Sequence, residues 1–341
     1  TQRDAALAVE AESGDPDGFL EAVRLAGVGM FASRPITLRP LLQRFLSDGE
    51  LPREHPDLVR SNCLELCRER NRSRIEAGVI GNLDPEQRLQ VARRIAALTV
   101  FCRRPTICLQ QGSSDPASLS LEDLASGSED VGGTMVPLTR ENLLEVLRDT
   151  GLFSAREGNQ VLGWSHRTYA EFLAADYCLA RGAPVEQLLD LLLHPSAPER
   201  RAVPQLQETL GWLFVLRQEL LAELIPSDPW SVLRASQTLR NSRVAPTDAQ
   251  KVALVERVLQ LSGENAFEPL DMWRNDLAWV FGHPGLADQL RPHITAEMGG
   301  RLSQENAIRL AQACELVELS PEIADVALSD SLPLLVRTSA A

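Results

Sequence analysis

A four-residue apolar run, Val161 to Trp164, passes directly into an amphipathic helix, and this junction constrains the fold more than any other part of the chain. Ser165 is a good N-cap residue and His166 falls in the first turn. Tyr169, Phe172, Leu173 and Tyr177 then recur at i, i+3, i+4 and i+8, which gives the helix one buried face. An imidazole in a first turn lies beside backbone N–H groups that lack intrahelical partners, at the positive end of the helix dipole. That setting suits phosphate.

The segments before this junction supply its neighbours. Asp84, with Gln87 three residues on, fits a capping box, and Leu89, Val91, Ile95, Leu98 and Phe101 make an apolar stripe behind it. Thr106 to Leu109 reads as a short strand. Residues 111–134, rich in Gly, Ser, Asp and Glu with little to bury, read as a mobile loop. A helix over 139–149 stops at Gly151, and a hairpin succeeds it with strands 152–155 and 161–164 around Glu157-Gly158-Asn159. Helix, strand, helix, hairpin, helix is a winged-helix order over residues 79–182; a generic α+β element is the plainer alternative. The candidate recognition helix, Arg140 to Glu145, is not basic, which disfavours a DNA reader.

The rest is patterned as helix. Residues 1–78 read as a small four-helix unit, with a first helix over 2–12 and a second after Asp15-Pro16 carrying Phe19, Leu20, Val23 and Leu25. The third begins after Arg34-Pro35 and the fourth runs from about 56 to 70. Residues 183–341 give helical segments at 185–194, 199–224, 229–240, 247–262, 268–281, 303–317 and 321–328, broken at Pro or Gly and without a strict period. The expected fold class is mainly α: a helical bundle, a winged-helix domain, and an irregular α-solenoid of HEAT- or ARM-like helices whose concave face binds partners.

Charge and chemistry narrow the function. The net charge is -13, and one of the 34 basic residues is Lys251, leaving 33 arginines. An acidic surface argues against non-specific nucleic-acid or membrane binding. No apolar run approaches a membrane span and no leader is visible, and six scattered cysteines read as reduced and intracellular, so the expected compartment is the cytoplasm. Cys63 and Cys67 share a helix face near His55 but lack a second close pair, so they read as buried thiols and no metal site is expected. No Gly-x-x-x-x-Gly-Lys-(Ser/Thr) occurs, no apolar strand ends in an acidic pair for Mg²⁺, and no His-Glu-x-x-His or Gly-x-Ser-x-Gly is present. The chain alone is therefore expected to be neither a P-loop ATPase nor another enzyme.

The segment Trp164-Ser165-His166-Arg167-Thr168-Tyr169-Ala170-Glu171-Phe172-Leu173-Ala174-Ala175 closely resembles the end of the winged-helix domain of bacterial NACHT/STAND-type signalling NTPases. Residues 1–70 resemble the helical lid of that family, through Phe19 to Val23, Ser33 to Leu38, Leu51-Pro52 and the Leu64 to Asn71 segment. The helices after 183 are similar to the next region of that family. The resemblance implies that His166 reaches the β-phosphate of bound ADP and that Pro35, at the start of a lid helix, packs beside the adenine. Pro35 is equally a helix N1 proline, and Glu171, which matches a family glutamate, equally a tie to neighbouring arginines.

The resemblance further implies a regulatory and sensor portion of a nucleotide-switch ATPase. The ATPase core is expected before residue 1, and a start at Thr1 within a helical pattern suggests a piece of a longer protein. ADP or ATP with Mg²⁺ would bind the intact protein, and no cofactor this chain alone. A trigger, protein or ligand, on the solenoid would release self-oligomerisation, in signalling or antiviral defence. The alternatives are an α-helical interaction scaffold with no nucleotide role and a winged-helix transcription regulator.

Overall fold

The computed structural model describes residues 15–25, 32, 35–51, 55–68, 81–110, 115–156, 160–194, 196, 200–263, 277–296, 298–329 and 334–340; the helix expected over 2–12 lies outside them. The chain is mainly helical, 66% helix against 9% strand, and among the described residues the strands all lie between Thr106 and Trp164, so they are a local feature. No helix among the described residues is long and apolar enough to cross a membrane. Contacts divide the chain into two units. One is residues 1–192 with 204–216 and 241–243; the other is 193–203 with 217–240 and 244–341. Residues 1–78 and 79–182, expected as separate domains, fall together in the first.

The first unit opens with α1 (Pro16–Leu25), α2 (Pro35–Asp48) and α3 (His55–Cys67). Asp15 Oδ1 accepts the Gly18 N–H at 2.9 Å to start α1, and Phe19 packs edge-on to Phe45 with ring centroids 5.5 Å apart. Leu58, Val59, Cys63, Leu66 and Cys67 of α3 are all buried. Burial pushes the Cys67 thiol up to about 12 and the Cys63 thiol well above its ordinary value, so both pack as neutral groups.

Helix α4 (Pro85–Phe101) is the centre of this unit. Its capping box forms as the sequence predicts: Asp84 Oδ1 accepts from Gln87 N–H at 2.9 Å, and Gln87 Oε1 from Asp84 N–H at 3.0 Å. The helix is buried around most of its circumference, so its polar residues must meet partners or leave costly bare charges. Arg88 Nε donates to Glu145 at 2.9 Å, Arg93 Nε to Asp176 at 2.7 Å, and Arg94 Nη1 to Glu129 at 3.1 Å. Arg60 of α3 also reaches Asp176, at 2.8 Å, tying the first helices to the rest.

Strands β1 (Thr106–Cys108), β2 (Ser118–Ser120), β5 (Phe153–Ala155) and β6 (Val161–Trp164) form one sheet in the order β2-β1-β6-β5. β1 runs parallel to β2 and antiparallel to β6, with Thr106 opposite Gly163. The hairpin strands expected at 152–155 and 161–164 are β5 and β6 to within one residue.

The mobile loop expected over 111–134 is corrected. Residues 115–134 hold β2, the short α5 (Leu121–Leu124), β3 (Ser128–Val131) and the start of β4 (Thr134–Pro137), which pairs with β3 as a separate hairpin. Its polar composition hides the anchors. Ser120 and Asp123 build a second capping box, Leu119, Leu121 and Leu124 are buried, and Glu129 is held by Arg94, by Gln90 Nε2 at 3.0 Å and by Tyr177 Oη at 2.9 Å. Helix α6 (Arg140–Asp149), capped by Thr139, carries the buried Glu145.

Helix α7 (Arg167–Ala180) packs on α4 and on α9 (Gln207–Leu216), with Phe172 edge-on to Trp212 at 5.1 Å; α8 (Val185–Leu192) lies between them in sequence. Tyr169, Phe172 and Leu173 are fully buried, as their spacing predicts, but Tyr177 of the same set is only half-buried. Residues 169–176 and Cys178 are all buried, so α7 is enclosed on most sides rather than along one face.

The second unit contains α10 (Glu219–Leu224), α11 (Pro229–Arg234), most of α12 (Ser236–Asn241), α13 (Asp248–Gly263), α14 (Leu277–Phe281), α15 (Leu286–Ile294), α16 (Arg301–Ala313), α17 (Ser320–Leu328) and α18 (Leu334–Ala340). α16 packs against α13, α15 and α18 around Val258, Leu290, Ile308 and Leu310. The helix expected over 199–224 is instead a 3₁₀ turn, α9 and α10; no Gly or Pro marks the break at Arg217-Gln218, so the periodicity runs through it. α15 has no counterpart among the expected segments, because it carries Pro292 inside.

Candidate functional site

A cavity of about 690 Å³ opens in the first unit where the strand-to-helix junction meets the end of α4. The β1–β6 register creates it. Placing Thr106 opposite Gly163 brings the turn after α4, Arg103 to Thr106, alongside Trp164 to Arg167. Thr99 and Val100 close one wall, Ala170 and Glu171 of α7 another, and Gln205 contributes from the 3₁₀ turn. Trp164 fixes the corner: its Nε1–H donates to Thr99 Oγ1 at 3.0 Å and its ring lies 4.4 Å from that of Phe153.

His166 lines this cavity, and its position refines the sequence expectation. His166 itself is the N-cap of α7, in extended backbone with φ -142°, and Ser165 precedes the cap. Its Nδ1 accepts the Thr168 N–H at 3.2 Å, and its ring stands edge-on to Tyr169 with centroids 5.9 Å apart. One of the backbone donors expected to face a ligand is thus consumed by the histidine. The same bond fixes the tautomer, since a neutral ring accepting at Nδ1 carries its proton at Nε2 and is a donor there. Pro35 stands where expected, at the first residue of α2, and its side chain lies outside the described residues.

Sequence reasoning missed the arginines. Arg103, Arg156 and Arg167 line the cavity with a single carboxylate, Glu171, so with His166 neutral the charge there is three minus one, or +2, in a chain of net -13. Glu171 is 6% exposed, and its Oε1 lies 2.6 Å from Arg167 Nε, a contact of opposite charges without hydrogen-bond alignment. Burial raises the Glu171 carboxyl above its usual range and nearby Glu208 adds to the rise, while Arg167 opposes it. Arg167 Nη2 also donates to the Gln205 carbonyl at 3.2 Å.

Arg156 lies across Gly163. A Cβ added at Gly163 would meet Arg156 Nε at 2.7 Å, so the absent side chain leaves room for the guanidinium, whose Nη2 donates to Trp164 O at 2.5 Å. Arg103 occupies the position after the C-cap of α4, with φ +55°, where glycine is usual; the Arg104 N–H bonds back to Thr99 O at 2.9 Å to close the helix. The isolated glycine in β6 is the one sequence signal of a close approach here.

Chemically, the site offers an imidazole donor and guanidinium groups in a half-enclosed, positively charged space, a donor set that fits a phosphate. Among the described residues no group of His, Cys, Asp and Glu side chains could hold a metal ion. No protein-family model, curated protein or solved structure matches the chain.

Proposed function

We propose that this chain is the regulatory portion of a NACHT/STAND-type nucleotide-switch ATPase. In this reading α1–α3 are the helical lid, α4 to α7 a winged-helix domain with an inserted β3–β4 hairpin, and the second unit the start of a helical-repeat sensor. The observation that carries it is His166, at the strand-to-helix junction, on the wall of a cavity of net positive charge. The nucleotide would be held mainly by a P-loop core, since the chain has no glycine-rich loop with a lysine. His166 would donate from Nε2 to a phosphate of ADP in the off state, and Pro35 would flank the base. A contact made with one nucleotide and not the other shifts the equilibrium by that difference in affinity, which is what a switch requires. Loss of the contact would free surfaces for self-oligomerisation.

The test is calorimetric titration of ADP and of ATP into the protein that joins this chain to its ATPase core, with and without His166→Ala. The expected result is ADP binding weakened about tenfold or more with ATP unchanged, the loss of one hydrogen bond to a charged group. Equal binding of both nucleotides by both proteins would leave His166 as the cap of α7 alone, and the chain as a helical interaction scaffold.

A further inference from the structure

We infer that the cavity is an anion site in its own right, in which Arg103 and Arg156 clamp a phosphate or phosphate-ester anion of at least two charges without any contribution from an ATPase core. The inference rests on the reading of this cavity as the place where phosphate is met, and extends it to residues that the family resemblance does not mark.

The carrying observation is how the cavity's arginines are satisfied. The chain has 47 acidic residues to 34 basic ones, so carboxylate partners are in surplus. Arg88, Arg93 and Arg94, in the same unit, each take one. Arg156 instead bonds a backbone carbonyl, which orients the guanidinium, and among the described residues no carboxylate pairs with its charge. Among the described residues the side chain of Arg103 meets no hydrogen-bond or ion-pair partner, and it projects from a left-handed residue that would be less strained as glycine. Arg167 differs, being engaged with Glu171 and Gln205, and it is the least available of the three.

A guanidinium carries five N–H donors, so Arg156 spends one on Trp164 O and retains the others. Phosphate oxygens are its best match, because two parallel charge-assisted bonds can form. The one carboxylate that lines the cavity, Glu171, is already beside Arg167. The volume, about 690 Å³, is ample for a diphosphate and sufficient for its esters. Free pyrophosphate and the diphosphate of a nucleotide share this chemistry.

The experiment is calorimetric titration of inorganic pyrophosphate into the full 341-residue chain, at one salt concentration. ADP is titrated in parallel to separate a nucleotide source from a free anion. The expected result is saturable binding at one site, weakened about tenfold or more by Arg156→Gln and by Arg103→Gln. Gly163→Ala is expected to weaken it too, because it keeps every charge but displaces Arg156. Arg148→Gln, on an exposed position of α6 outside the cavity, makes the same charge change and should leave affinity unaltered. Circular dichroism establishes that each variant is folded, and Arg103→Gln, at an exposed turn, keeps the test open if Gly163→Ala is not.

Absence of saturable binding, no response to the two cavity arginines, or an equal response to Arg148→Gln would each overturn the inference. The two readings fail separately. Arginine-dependent pyrophosphate binding alongside an inert His166→Ala in the joined protein defeats the switch and keeps the anion site. A working His166 latch with arginine-independent pyrophosphate binding does the reverse.

Discussion

The arginines of α4 and those around the cavity stand in one unit, yet they are satisfied in opposite ways. Arg88, Arg93 and Arg94 meet Glu145, Asp176 and Glu129, each of these carboxylates being almost wholly buried. Among the described residues Arg156 meets only a carbonyl, and the Arg103 side chain has no acidic partner. A buried ion pair is costly to break and contributes little by being made, so the first set fixes geometry. A guanidinium left without a counter-charge costs little where water can reach it, and remains available for an anion. Residue type alone does not separate the two sets of arginines; the partner does.

The sharpest way to break this contrast is at Asp176, which serves both Arg60 and Arg93. Asp176→Ala strands two guanidinium groups and should destabilise the chain by about 3–5 kcal/mol, read as a fall in the urea midpoint. A loss below about 1 kcal/mol would mean that water satisfies these arginines and that the two sets are alike.

Glu171 stands on both sides of the comparison, buried like the first set yet lining the cavity, and pH distinguishes its role. Its carboxyl is raised above the usual 4.5, chiefly by burial. Between 4.5 and the raised value the folded chain keeps a proton that the unfolded chain has lost. This contribution to stability is present below 4.5 and is lost as pH rises through the folded value. Glu171→Gln should therefore gain on the parent chain as pH rises, with the gap in urea midpoint wider at pH 8 than at pH 4. A gap independent of pH would show that Arg167 compensates the buried charge fully.

The smallest effect is expected at Arg156. Arg156→Gln should shift stability by no more than about 0.5 kcal/mol while anion binding falls, because among the described residues the side chain has no acidic partner to abandon. A loss comparable to that of Asp176→Ala would place Arg156 with the structural arginines after all.

How much the sequence discloses depends on the range over which each signal acts. The Asp84–Gln87 capping box and the β5–β6 strand pairing are encoded within a few residues and appear as read, whereas α7, read as having one buried face, is buried around most of its circumference. Signals that need distant partners are invisible. Residues 115–134 read as too polar to fold because Glu129 stabilises the segment only through Arg94, Gln90 and Tyr177, at distances in sequence of 35, 39 and 48. Serine is the commoner cap, so Ser165 reads as the cap of α7, whereas His166 fills that role through its ring nitrogen. Of the site, His166 is legible from its motif. Arg103 and Arg156 are not, since only the register of β1 on β6 brings the two turns together.

The three carboxylates that serve α4 have a consequence for how the chain is made. They come from the β3–β4 hairpin, from α6 and from α7, so their order along the polypeptide is 129, 145, 176, all after the arginines they neutralise. A ribosome delivers residues from the N-terminus, and domains generally fold as units while they emerge. Until Asp176 has left the exit tunnel, a native-like α4 would carry the half-buried Arg93 guanidinium without its counter-ion. The order of these ion pairs disfavours early docking of α4 and favours its closure with the hairpin, α6 and α7 together.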